Sequence, residues 1–187
     1  MSKPKVSFSD LEDAFISGGG YEREWWLDKR TGRVILISDG ARKYADGTWD
    51  VEGAPKWMGE MIEDAKIIMR AFGELPDEGA NAVIELDRFV SIPGDDSHDA
   101  FEDMEEFIET VTNDRAYNAL ARALRGDRPF RRFKDALSDY PRLEGQWHTF
   151  HNQRLRERIE AWAREEGVEL DYSSPHTGSA EQIDLAD

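Results

Sequence analysis

A chain of 187 residues with a net charge of −16 and no cysteine excludes a disulfide framework, a thiolate metal site and a cysteine nucleophile, and its acidity opposes long-range attraction to phosphate-rich surfaces. No stretch approaches the roughly 20 apolar residues of a membrane span, and Val6 to Ile16 is broken by Asp10, Glu12 and Asp13, unlike the apolar run of a signal peptide. The expectation is a cytoplasmic chain with a single α+β domain over 1–172, long enough to bury about 70% of its unfolded surface, followed by a disordered acidic tail over 173–187.

Taken in order, Ser9-x-x-Glu12 has the form of a capping box opening a short helix that Gly18-Gly19-Gly20 stops. Tyr21 to Asp28 alternates in character, and Asp28 to Gly32 turns the chain into Arg33 to Ser38, which predicts a hairpin with Gly32 at positive φ. Its second strand, Val34-Ile35-Leu36-Ile37, is apolar on both faces and predicts a central strand. Asp39 to Gly53 predicts a loop pinned by Tyr44 and Trp49. Pro55 then stands where a first helical residue belongs, ahead of Met58, Met61, Ile62, Ala65, Ile68, Met69 and Phe72 at helical spacing, a stripe that reads as core. A third strand is expected within Ala82 to Ile92, centred on Arg88 to Ile92. Asp95-Asp96-Ser97 predicts the cap of a helix with Phe101, Met104, Phe107, Ile108 and Val111 on one face. Asp99, Glu102, Asp103, Glu105, Glu106 and Glu109 form the other, a solvated acidic row.

Asp114 begins a helix closed by Gly126 as a C-terminal cap residue. A second starts at Asp127 to Pro129, buries Phe130, Phe133, Leu137 and Tyr140, and stops at Pro141. Leu143 to Glu166 is the longest helix, and Val168, Leu170 and Tyr172 alternate as a last strand. The fold class is therefore α+β: a small antiparallel sheet built on the N-terminal hairpin and the Phe89 strand, packed with a C-terminal group of helices.

The chemistry concentrates between Arg115 and Lys134, where seven cations face one acid, Asp127; this +6 segment leaves −22 for the remainder of a −16 chain. Helix starts favour acids, because unpaired amides and the macrodipole make that end positive, yet Arg128, Arg131 and Arg132 crowd this one. Either Asp127 caps the amides while Asp135 and other carboxylates neutralise the arginines, or an external anion does so. On the second reading Arg125, Arg128, Arg131, Arg132 and Lys134 are the anion-binding residues, and the partner is nucleic-acid phosphate or an acidic protein segment. His151, Arg154 and Arg158 recur at i, i+3 and i+7 and, with Asp135, outline a polar cleft; the alternative is a helix whose contacts change along its length. Enzyme signatures are thin. His148-x-x-His151 lacks the spacing and glutamate of a zinc-hydrolase helix, the three glycines fit no phosphate loop, and no Gly-x-Ser-x-Gly elbow is present. No catalytic residue, metal or cofactor is expected, and a non-enzymatic binding or regulatory module is the leading reading. Two others stay open: an acidic interaction module using the Asp99 to Glu109 face with Trp49 and Trp57, its arginines structural, and a hydrolase centred on His151, Arg154 and Asp135.

Trp26 to Val34, Pro55-Lys56-Trp57, Ile92-Pro93, Phe107, Phe130-Arg131-Arg132-Phe133-Lys134-Asp135, Trp147-x-x-Phe150 and Trp162 together resemble a bacterial group catalogued as uncharacterised protein family 0158, over roughly Phe8 to Leu170. Phe-Arg-Arg-Phe-Lys-Asp is the most specific of these motifs. The resemblance implies a shared fold and no particular activity, substrate or cofactor. The chain departs from it at Arg128-Pro129, where a small pair, often Gly-Ala, is expected, and at His148 and His151, where Tyr and a charged residue are expected. The resemblance therefore supports no family-wide mechanism at either histidine.

Overall fold

The computed structural model describes residues 3–18, 22–76, 87–94 and 97–173. The chain divides into two compact units, Met1–Gly94 with Ala161–Asp187, and Asp95–Glu160. Gly19 to Tyr21, the start of the third strand at Ala82, the Asp95-Asp96 cap and the tail beyond Ser173 lie outside the described residues.

In the first unit, β1 (Lys5–Ser7) runs directly into α1 (Phe8–Ser17). The helix starts earlier than the capping box suggested, because the Ser7 hydroxyl accepts from the Asp10 amide at 3.3 Å and takes the cap position itself. The expected hairpin forms from β2 (Arg23–Asp28) and β3 (Arg33–Ser38), in register from Arg23 opposite Ser38 to Asp28 opposite Arg33. Gly32 adopts φ 77° at the turn, and a Cβ there would strike the Lys5 carbonyl oxygen, so glycine answers both constraints.

The stretch expected to be a loop instead begins with α2 (Asp39–Ala45). Ser38 caps it by accepting from the Ala41 amide at 3.1 Å, and Ala41 is fully buried. Single 3-10 turns follow at Val51–Gly53 and Lys56–Met58, the second capped by Pro55, so α3 (Gly59–Ala71) begins later than Pro55 implied. Its methionine-containing stripe is core: Met58, Ile62, Ala65 and Ile68 are buried with Ile35, Ile37, Ala41 and Phe89. β4 (Phe89–Ser91) pairs antiparallel with β2 and gives the order β3-β2-β4. The hydrophobic β3 is therefore not central, as its composition suggested; its neighbours are α1, α2, α3 and β1, which explains why both its faces are apolar.

The second unit contains α4 (Ser97–Glu109), α5 (Asp114–Leu124), α6 (Pro129–Ser138) and the greater part of α7 (Pro141–Glu165). Met104, Phe107, Ile108, Leu120, Phe133 and Leu137 form its core. Trp147 packs edge-on against Phe107 and Phe133, with ring centroids 5.3 and 5.0 Å away, a geometry that adds to simple area burial. Phe130 departs from expectation: it is 44% exposed, and its ring lies T-shaped to that of Phe101 with centroids 6.5 Å apart. In the first unit, β5 (Glu169–Asp171) closes the described chain by pairing parallel to β1. The architecture is α+β, with the sheet on the N-terminal hairpin and the helices toward the C-terminus.

In the turn between α5 and α6, Gly126 follows the cap residue Arg125, and the left-handed position falls on Arg128, with φ 56° and ψ 56°, immediately before Pro129. A non-glycine residue in that region costs about 1–2 kcal/mol. Gly126 is small for another reason, since a Cβ there would collide with the Arg132 guanidinium. Arg128→Gly is therefore expected to stabilise the protein by about 0.5–1 kcal/mol, after allowance for glycine's greater freedom when unfolded. Urea unfolding followed by circular dichroism measures this, and a lower midpoint for the variant would show that the arginine side chain contributes more than its backbone costs.

Candidate functional site

The cationic segment occupies α5, the turn and the first half of α6, and Arg115, Arg122, Arg125, Arg128, Arg131, Arg132 and Lys134 are all exposed. The first turn of α6 contains no acid and no side chain caps it; Asp127 does not take the role expected of it, because Arg128 occupies the cap position. Asp135 approaches only Arg131, at 3.9 Å, with both side chains more than two-thirds exposed. A pair of that length in water contributes little. Among the described residues the other six cations of the segment have no ion pair; Arg122 Nε donates to the Asn118 carbonyl at 3.1 Å. Arg132 lies back over Gly126.

His151, Arg154 and Arg158 do converge, but not on Asp135. Their common partner is Asp103, which was expected on the solvated face of α4 and is fully buried. His151 Nδ1 lies 3.0 Å from Asp103 Oδ2, Arg154 Nε donates to Oδ1 at 3.3 Å, and Arg158 spans both oxygens at 3.0 and 3.1 Å. The His151 ring also stacks on Trp147, 5.2 Å between centroids. Arg154 extends to Glu106 at 3.2 Å, so a second acid of α4 is engaged. Burial alone would raise the Asp103 carboxyl; the hydrogen bonds from Arg158, His151 and Arg154 outweigh it and hold the group below its ordinary value. A signal for Asp103 was present in the sequence, since it stands four residues before Phe107 on the border of the apolar stripe, and three basic residues at helical spacing call for a shared acid. His148 is exposed, away from this cluster.

Uncharacterised protein family UPF0158 matches residues 73–177, more than half of the chain and inclusive of both the cationic segment and the Asp103 cluster. The chain belongs to this family. A curated UPF0158 protein of Pseudomonas aeruginosa strain PAO1 is 32% identical over 98 residues, which are 51% of this chain and 64% of that relative. The chain thus spans slightly under two-thirds of the relative's length. No solved structure matches the chain.

Elsewhere in this UPF0158 member, the hairpin and α3 carry two more buried acids. Asp28 receives Arg88 at 3.0 and 2.7 Å and the Arg30 amide at 2.9 Å. Burial raises its carboxyl, but those donors prevail and the net direction is down. Asp64 receives both arms of Arg33, at 2.9 and 2.5 Å, yet burial dominates there, and Glu60 and Asp28 add repulsion, so its carboxyl is raised. Among the described residues no helix is long and apolar enough to cross a membrane, and no group of three or more His, Asp or Glu is arranged to hold a metal ion.

The signs of these shifts set the acid response. Asp28 and Asp103, lowered on folding, stabilise the protein above the ordinary carboxylate value, and that stabilisation is lost as pH falls through their folded pKa values. Asp64, raised on folding, acts oppositely: it costs stability above its unfolded value, and the cost is relieved as pH falls through its folded pKa. Asp103→Asn removes the buried charge that Arg158, Arg154 and His151 share and is expected to destabilise by about 2–3 kcal/mol near pH 7, the two guanidinium groups being only partly buried. The deficit should narrow as pH falls below about 4, where the unfolded-state carboxyl begins to protonate, and should go on narrowing as pH passes through the lower folded pKa of Asp103. Urea unfolding of both proteins across pH tests this, and a deficit independent of pH would contradict the assignment of charge to Asp103.

Proposed function

We propose that this chain is a non-enzymatic binding module whose anion-facing residues are Arg125, Arg128, Arg131, Arg132 and Lys134, and that its ligand is a polyanion carrying nucleic-acid phosphate. The observation that carries the reading is the absence of compensation: an exposed +6 segment whose single described ion pair, Arg131 with Asp135, is 3.9 Å long. A structural network of arginines would require acids within reach. Two acids of α4, Asp103 and Glu106, are engaged by α7 instead, and Glu105 and Glu109, which line one groove with Arg125, form no ion pair with it.

The net charge of −16 shapes such binding without forbidding it. At physiological salt, fields are screened over about 8 Å, so a ligand at the arginines responds chiefly to the local +6. At longer range the protein repels a polyanion, which slows encounter and keeps affinity modest. Sequence-specific reading of duplex DNA does not fit this balance.

A second reading has one observation in its favour: Trp49 and Trp57 are 44% and 69% exposed, beside the exposed acids Asp46, Asp50 and Glu52. That surface suits a basic protein segment with an apolar anchor. A hydrolase is less supported, because Asp135 stands apart from His151 and Arg154.

Binding of labelled oligonucleotides by fluorescence anisotropy at low salt, beside the Arg131→Glu, Arg132→Glu double variant, separates these readings. Tenfold or greater loss of affinity is expected, roughly the effect of reversing two phosphate-facing charges. The variant's unfolding free energy should change by only about 0.5 kcal/mol, as for other exposed positions. A collapsed melt would make the arginines structural. Absent binding in the wild type would turn attention to the tryptophan surface.

A further inference from the structure

One groove of the second unit contains features that phosphate binding alone does not require. It has a volume of about 280 Å³ and is lined by Phe101, Glu105, Glu109, Tyr117 and Arg125, among others, between α4 and α5. Phe130, 44% exposed in the middle of the cationic segment, meets the edge of Phe101. Phe130 thus presents aromatic surface between Arg128, Arg131 and Arg132. Glu105 and Glu109 are exposed acids on the groove wall. Glu109 accepts from the Tyr117 hydroxyl at 3.2 Å and retains acceptor capacity on its second oxygen.

Resting on the polyanion reading, we infer that this groove accepts an unstacked nucleobase and that the ligand is single-stranded nucleic acid. Three kinds of group match three parts of a nucleotide. Arg125 and the cations of α6 meet phosphate. Phe130 and Phe101 offer aromatic surface to the base, the sequence-tolerant contact that single-strand binders use with a positive track. Glu105 and Glu109 accept hydrogen bonds, so they favour a base edge that presents an amino group and disfavour one that presents carbonyl oxygens. A duplex hides base faces within its stack and cannot reach the aromatic pair. An acidic peptide would be repelled by the two glutamates, and it is the competitor that the same groups argue against.

The test uses the full-length protein and labelled RNA oligomers of about 12 nucleotides, long enough to cross one such site. The probes are oligo-cytidine, oligo-uridine, a duplex, an abasic oligomer of equal length and poly-glutamate. Cytosine presents an outer amino group at the 4-position where uracil presents a carbonyl, and uracil's one N–H, at N3, lies between two carbonyl oxygens that repel a carboxylate, so oligo-cytidine should bind about fivefold or more tighter than oligo-uridine. Both should bind tighter than the duplex and the abasic strand. Phe130→Ala should remove most of the advantage over the abasic strand, Phe130→Tyr should keep it, and Glu105→Gln with Glu109→Gln should erase the preference for cytidine. Thermal melts of each variant accompany the titrations, and the tyrosine variant holds the test open if the alanine variant melts early.

Equal binding of single-stranded, duplex and abasic probes, unchanged in Phe130→Ala, would overturn the base-groove inference and leave the polyanion reading in place. Binding to poly-glutamate as tight as to oligo-cytidine would also overturn it. No binding to any polyanion at low salt would overturn both.

Discussion

The second unit turns on a single buried carboxylate. Asp103, with no exposed surface, gathers His151, Arg154 and Arg158 from three positions of α7 onto one side chain of α4. A buried charge is tolerable only when paired and hydrogen-bonded, so the register between these helices is restricted to one in which all three donors reach it. The apolar contacts of Phe107 and Phe133 with Trp147 agree with that register. Packing supplies the driving force, and the carboxylate restricts which packing is allowed.

The same interaction has a consequence for the surface. In an acidic protein, exposed arginines ordinarily find carboxylates nearby. Here α4 directs Asp103 and Glu106 to the cations of α7, while α6 brings one acid, Asp135, within 3.9 Å of one arginine. The positive segment stays uncompensated because two acids of α4 turn to α7 and the exposed Glu105 and Glu109 form no ion pair with it. Local geometry sharpens this, since Arg128 holds a left-handed backbone and Gly126 leaves room for the Arg132 guanidinium. On the proposed reading, both features position cations for a ligand.

Much of this was legible in the sequence. The hairpin follows from alternation and from Gly32, and the cores of α3 and α4 follow from 3.6-residue spacing. The cationic segment was evident from charge alone. What escaped had specific causes. α2 is too short for its periodicity to show, and its Ser38 cap looked like the end of a strand. β3 reads as central because helices and β1, rather than strands on both edges, surround it. Asp103 reads as part of a solvated row because acids outnumber apolar residues on α4, and charge counting cannot single out the one that faces inward. Phe130 reads as core because composition does not distinguish an aromatic side chain that packs from one that stands exposed between arginines.

The central claim, an uncompensated cationic surface that binds phosphate, is tested most directly by the salt dependence of affinity for a single-stranded oligonucleotide. Engagement of four or five cations gives a slope of log K against log salt of about −3, from roughly −0.7 per neutralised phosphate on a single strand. A slope near that value supports the surface described above. A slope near zero, or no measurable binding at low salt, would contradict it and leave the seven exposed cations without a ligand.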